Sequence, residues 1–122
     1  MISSKGNKVI NDLIAQVEKN GIEVEDVVTK LKELRPLAIQ EKDPLLARTI
    51  RLTYELLEEE EDFELNCLAG IAEEGEEEEE VEEEEGTAEE NLVYLLQLWI
   101  QSDNKYNRDE IREFTNKMTE MV

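Results

Sequence analysis

Eleven of the thirteen residues from Glu73 to Glu85 are glutamates, interrupted only by Gly75 and Val81. Carboxylates in such density can hold cations, exchange protons or attract basic surfaces. Each chemistry demands a different arrangement. A calcium loop needs oxygen ligands at set positions around a turn-forming glycine, and Glu73-Glu-Gly-Glu-Glu77 has neither the Asp/Asn alternation nor the length. Di-iron bundles need Glu-x-x-His pairs projecting inward, and the chain contains no histidine. The same absence, with one cysteine, argues against zinc and against the commonest general base. A proton-exchanging pair of carboxylates needs a pocket that raises one of them, and nothing in the sequence marks one. Cys67 has no histidine to activate it and reads as a small apolar residue. The five glycines match neither a dinucleotide fingerprint nor a phosphate-binding loop. We therefore expect no enzyme, no cofactor and no metal.

Attraction of a basic surface remains. The chain carries 33 acids and 13 bases, a formal net charge of −20. The window 58–90 holds nineteen of those acids and no base. Outside it the balance is fourteen to thirteen, so one window supplies nearly all the excess. The residues Glu73, Glu74, Glu76, Glu77, Glu78, Glu79, Glu80, Glu82, Glu83, Glu84 and Glu85 are the candidate contact with a basic protein partner. They would act through on-rate and salt-sensitive affinity. The plainer alternative is a solubilising linker with no partner. Metal buffering and masking of a basic patch around Arg48 and Arg51 are lesser alternatives. Direct nucleic-acid binding needs a basic face, and the only small cluster is Arg48 and Arg51, with Arg35 and Lys42 in its neighbourhood. Its plain reading is a solvated helix face making local ion pairs.

The elements around the acidic run are helical. Residues 1–6 read as a loose start, with Asn7 as a candidate N-cap. Val9, Ile10, Leu13, Ile14 and Val17 then form one face of a helix that ends at Asn20-Gly21. A second helix, about Glu23 to Arg35, has acids in its first turn and bases in its last, matching its dipole. Pro36 predicts a break there, followed by a short turn over 37–42 that packs Leu37 and Ile39. Asp43-Pro44 reads as N-cap and first helical position. The third helix runs to about Glu59, burying Leu45, Leu46, Thr49, Ile50, Thr53, Leu56 and Leu57, with Arg48, Arg51 and Glu55 opposite. Residues 63–71 suggest a tethered loop that packs Phe63, Leu65 and Leu68. Thr87-Ala-Glu-Glu90 is a capping-box pattern opening a fourth helix, about Ala88 to Ser102, with Leu92, Leu95, Leu96 and Trp99 as its core face. Asn107-Arg-Asp-Glu110 repeats the spacing before a fifth helix that turns Ile111, Phe114, Met118 and Val122 inward.

These elements predict one all-α domain over 1–122. It is an antiparallel bundle of four to five helices, with a disordered polyglutamate insertion at 73–86 between helices 3 and 4. Like charges without an apolar face cannot offset the entropy of ordering. Leu52, Tyr54, Val93, Leu98 and Ile100 fall off the main apolar stripes. They could form a homodimer seam or a groove for a partner helix, or simply be buried on a second side. No apolar run reaches the length of a membrane span, Met1 to Gly6 has no apolar leader, and a cytoplasmic protein is expected. The functional expectation is an interaction or adaptor module.

Overall fold

The computed structural model describes residues 3–60 and 87–121, which fold as five α-helices with no strand among them. They are α1 (Ser4–Asn20), α2 (Val24–Gln40), α3 (Pro44–Glu60), α4 (Ala88–Ile100) and α5 (Lys105–Met121). The expected bundle is present. The segment 61–86, which contains the acidic run, Cys67 and the apolar stretch at 63–71, lies outside the described residues.

Local chemistry accounts for most helix ends. The Ser3 hydroxyl accepts from the Gly6 N–H, so α1 starts one turn before Asn7. Serine is as good a cap as asparagine, and starting at Ser3 lets Gly6 sit buried inside the helix. At the other end Gly21 takes φ 80°, where a side chain is disfavoured, and its N–H returns to the Val17 carbonyl at 2.9 Å. Asp43 caps α3 as expected, accepting from Leu46 N–H at 3.2 Å. The capping box at α4 forms in both directions, Thr87 N–H to Glu90 Oε1 and Glu90 N–H to Thr87 Oγ1, each at 3.1 Å. At α5 the cap is Asn104 rather than Asn107. The Asn104 side-chain oxygen accepts from the N–H groups of Tyr106 and Asn107, while Asn107 donates its amide to the Gln101 carbonyl.

Proline 36 does not break α2. The helix runs through it to Gln40 as a single rod, although an interior proline removes one backbone bond and costs about 3 kcal/mol. Packing decides the outcome. Val27, Val28, Leu31, Leu34 and Ala38 make one buried stripe across the proline, and a break at Arg35 would take Ala38 out of it. Leu37 packs half-buried against the core as expected, whereas Ile39 is exposed and Ala38 between them is fully buried.

The helices close into a ring in the order α1, α2, α3, α5, α4, with each helix touching the next and α4 returning to α1. Side-chain contacts give their directions. Ser3 N–H reaches Glu41 at the end of α2, and Lys32 pairs with Glu58, so α1/α2 and α2/α3 are antiparallel. Gly21 lies beside Glu89, and Tyr94 hydrogen-bonds Glu110, so α1/α4 and α4/α5 are antiparallel as well. An odd ring cannot alternate throughout. The parallel pair is α3/α5, where Asp43 meets Arg108 near both starts and Thr53 meets Met118 ten residues on. Small side chains line that seam: Thr49, Thr53 and Thr115 are buried, and the Thr53 and Thr115 hydroxyls donate to the carbonyls four residues back.

All five helices feed one core, in which Trp99 of α4 is the largest fully buried side chain. The residues set aside as a contact surface belong to it. Leu52, Val93 and Leu98 are 4%, 9% and 5% exposed, and Tyr54 and Ile100 pack half-buried against the same cluster. These five do not present an apolar patch on the single chain. A ring in which α3 and α4 each sit between two neighbours requires apolar residues on more than one side, and these positions supply them.

Candidate functional site: an acidic end and a basic cleft

The ring directions sort the helix termini onto two ends of the bundle. One end gathers the last turns of α1, α3 and α5, with Lys19 and Lys117, and the first turns of α2 and α4. Glu18, Glu23, Glu25 and Asp26 lie there, with Glu58, Glu59 and Glu60 at the close of α3 and Glu89 and Glu90 at the opening of α4. A cleft of about 650 Å³ between α1 and α4 is lined by Glu18, Glu89 and Glu90 with Val17, Val93, Tyr94 and Gln97. Both attachment points of the segment 61–86 are therefore on this acidic end. The candidate partner-binding residues Glu73 to Glu85 themselves lie outside the described residues.

The opposite end gathers the start of α1, the α2–α3 turn and the start of α5, and it is built on ion pairs. Arg108 grips Asp43 with both guanidinium nitrogens, NH2 to Oδ1 at 2.6 Å and NH1 to Oδ2 at 3.1 Å, and NH1 also donates to the Ser102 carbonyl. Burial alone pushes the Asp43 carboxyl up. The hydrogen bond and charge of Arg108, with the Leu46 N–H, outweigh that and hold it below the usual aspartate value. The same hydrogen bond raises Arg108. The pair clamps the N-termini of two parallel helices, whose like-signed dipole ends would otherwise repel.

Beside the clamp lies a cleft of about 540 Å³ between the last turns of α2 and the outer face of α3. Arg35, Lys42, Arg48 and Arg51 line it with Ile39, Pro44 and Ala47, and among the described residues the one acid lining it is Asp43, already held by Arg108. The α3 row places Arg48 and Arg51 three residues apart on the solvent face, as expected from the sequence. The continuous α2 adds Arg35 and Ile39, one turn apart on the facing side. Lys42 enters through the turn. Its N–H bonds to Ile39 O and that of Asp43 to Ala38 O, the paired closure of a helix C-terminus. In that closure Lys42 occupies the left-handed position, φ 59°, that glycine usually takes.

Among the described residues, ion pairing engages Arg51 alone of these four. Arg51 Nε stands 3.8 Å from Glu55, both half exposed, and Arg48 donates to the neutral Thr119 hydroxyl at 3.2 Å. The buried Nε of Arg35 and that of Arg51 have no hydrogen-bond acceptor among the described residues. The sequence named Arg48 and Arg51 as a cluster with Arg35 and Lys42 in its neighbourhood, but the break expected at Pro36 hid the continuous α2 that brings them to one cleft. Among the described residues no group of three or more potential metal-ligating side chains comes together, and no helix is long and apolar enough to cross a membrane. Comparison with family models, with curated proteins and with solved structures gives no match.

Proposed function

We propose that this chain is a helical protein-interaction module that recruits a basic protein partner through the acidic connection between α3 and α4. One observation supports the reading above others. The connection leaves from Glu58–Glu60 and returns at Glu89–Glu90, both at the acidic end of the bundle. The segment 61–86 adds fourteen acids and no base, tethered at both ends to that pole. The acids of the described residues flanking the connection are thereby gathered at the end from which it leaves. Such a field speeds encounter with a cationic surface and gives affinity that salt weakens, without a fixed set of contacts. A cytoplasmic location is part of this proposal, and a single cysteine, unable to form an internal disulfide, accords with it.

The test is a pull-down from native lysate with the full chain and with a version lacking residues 73–86, at low salt and near 0.15 M, where exposed charges are screened beyond about 8 Å. Basic proteins retained by the full chain, lost on deletion and released by salt are the expected result. Equal capture by both forms would refute it. Circular dichroism of the shortened chain should match the full chain, because loop closure depends only weakly on length.

A further inference from the structure

We infer that the basic cleft between α2 and α3 is a binding site for a small phosphate monoester whose organic part is apolar. The acidic connection plays no part in this inference, which stands on the other end of the molecule.

Four cationic side chains reach the cleft from three directions: Arg35 from α2, Lys42 from the turn, Arg48 and Arg51 from α3. A carboxylate is satisfied by one arginine fork, whereas a phosphate monoester has three terminal oxygens and a charge of about −1.5 to −2 at neutral pH. The convergence fits the second. Arg35 Nε has no acceptor among the described residues and Arg51 Nε has only the Glu55 carboxylate at 3.8 Å, beyond hydrogen-bond distance; turning either guanidinium toward the cleft would give it an oxyanion to bond. Asp43 does not compete for the cleft, because its two oxygens are taken by Arg108. Lys42 adds a second sign. It stands in the left-handed position where glycine would be less strained, and it lines the cleft. The wall beside the bases is apolar, with Pro44, Ala47 and Ile39, one of the two large apolar side chains the bundle leaves exposed. The volume suits a small molecule. A nucleic-acid polymer would meet the field of a chain with net charge −20; a small ester, with far fewer charges, meets proportionately less repulsion.

The test is an NMR titration of the isotope-labelled full chain with phenyl phosphate, with inorganic phosphate as the comparison, at near-physiological salt. Phenyl phosphate should saturate, shift the signals of Arg35, Ile39, Lys42, Arg48 and Arg51, and bind several-fold tighter than inorganic phosphate. The double variant Arg35→Gln/Arg51→Gln should weaken it about tenfold or more, the loss of roughly 1.4 kcal/mol. Lys8→Gln/Lys19→Gln, on α1 away from the cleft, should bind as the parent does. Glutamine keeps part of the aliphatic stem and a polar head at each position, and both double variants should keep the helical spectrum, checked by circular dichroism. Non-saturating shifts spread over lysines and arginines throughout the chain, or equal binding by the Arg35/Arg51 variant, would overturn the proposal. Co-sedimentation with phosphatidic acid vesicles, abolished in the Arg35/Arg51 variant, would overturn the soluble ligand in favour of a lipid headgroup.

Discussion

The two ends of this bundle solve opposite electrostatic problems. At the end holding the α2–α3 turn, carboxylates have partners on other helices. Arg108 of α5 pairs with Asp43 at the start of α3, and Glu41 at the end of α2 accepts from the Ser3 backbone N–H at the start of α1. At the other end acids accumulate from four helices, and the pairs there, such as Lys32–Glu58 at 2.9 Å, are about half exposed. The first end is held by its charges; the second tolerates them. A closed ring of apolar contacts lets it do so, since the core runs the length of the helices and does not depend on the acidic end for closure.

The contrast predicts unequal costs of removing a carboxylate. Asp43→Ala removes a helix cap and leaves Arg108 without its partner, and should lower unfolding stability in urea by about 2 kcal/mol. Glu58→Ala, which breaks an exposed pair, should change it by less than ~0.5 kcal/mol. Comparable losses at both sites would erase the distinction. Asp43 also sets a pH signature. Its carboxyl is lowered in the folded protein, so its contribution is complete above the ordinary aspartate value of about 3.9 and is lost as pH falls through the lowered folded value. The difference between parent and Asp43→Asn, followed by urea titration at successive pH values, should therefore shrink over that acid range.

Next in size is Pro36→Ala. It restores the missing bond to the Lys32 carbonyl in a helix that is already continuous, partly offset by a less restricted unfolded chain. It should raise stability by about 1–2 kcal/mol. Destabilisation would mean that α2 needs the proline. The smallest effect is expected at Lys42→Gly, which relieves the left-handed lysine. Thermal or urea unfolding should show a gain of up to ~1 kcal/mol, while phenyl phosphate binding weakens. A gain without weakened binding would detach Lys42 from the ligand site.

How much of this was legible beforehand follows from the physics at each position. The helix faces were, because a 3.6-residue apolar period marks a buried stripe regardless of partners; Leu92, Leu95, Leu96 and Trp99 are all fully buried. Local capping at Asp43 and Thr87 was legible for the same reason. Pro36 misled because its cost is local while the packing that overrides it is tertiary, in Leu34 and Ala38. Asn104 and Asn107 are both capable caps, and only the direction of the turn after Ile100 chooses between them. The five off-stripe residues were open to either a partner surface or a second buried side; in a ring with two neighbours per helix Leu52, Val93 and Leu98 are buried and Tyr54 and Ile100 half-buried. Residue types alone identified the four bases of the cleft, and the ring put them together. The Asp43–Arg108 pair, 65 residues apart, left no trace in local sequence.

The central claim is that recruitment of a cationic partner belongs to the acidic end and its connection. It is tested most directly by titrating the isotope-labelled full chain, and the chain lacking 73–86, with an oligolysine peptide at two salt concentrations. The account predicts salt-sensitive binding by the full chain, with shifts at Glu58–Glu60 and Glu89–Glu90 and none at Arg35 or Arg51, and affinity about tenfold or more weaker after deletion. Equal affinity of the two forms, or shifts spread evenly over both ends, would contradict it.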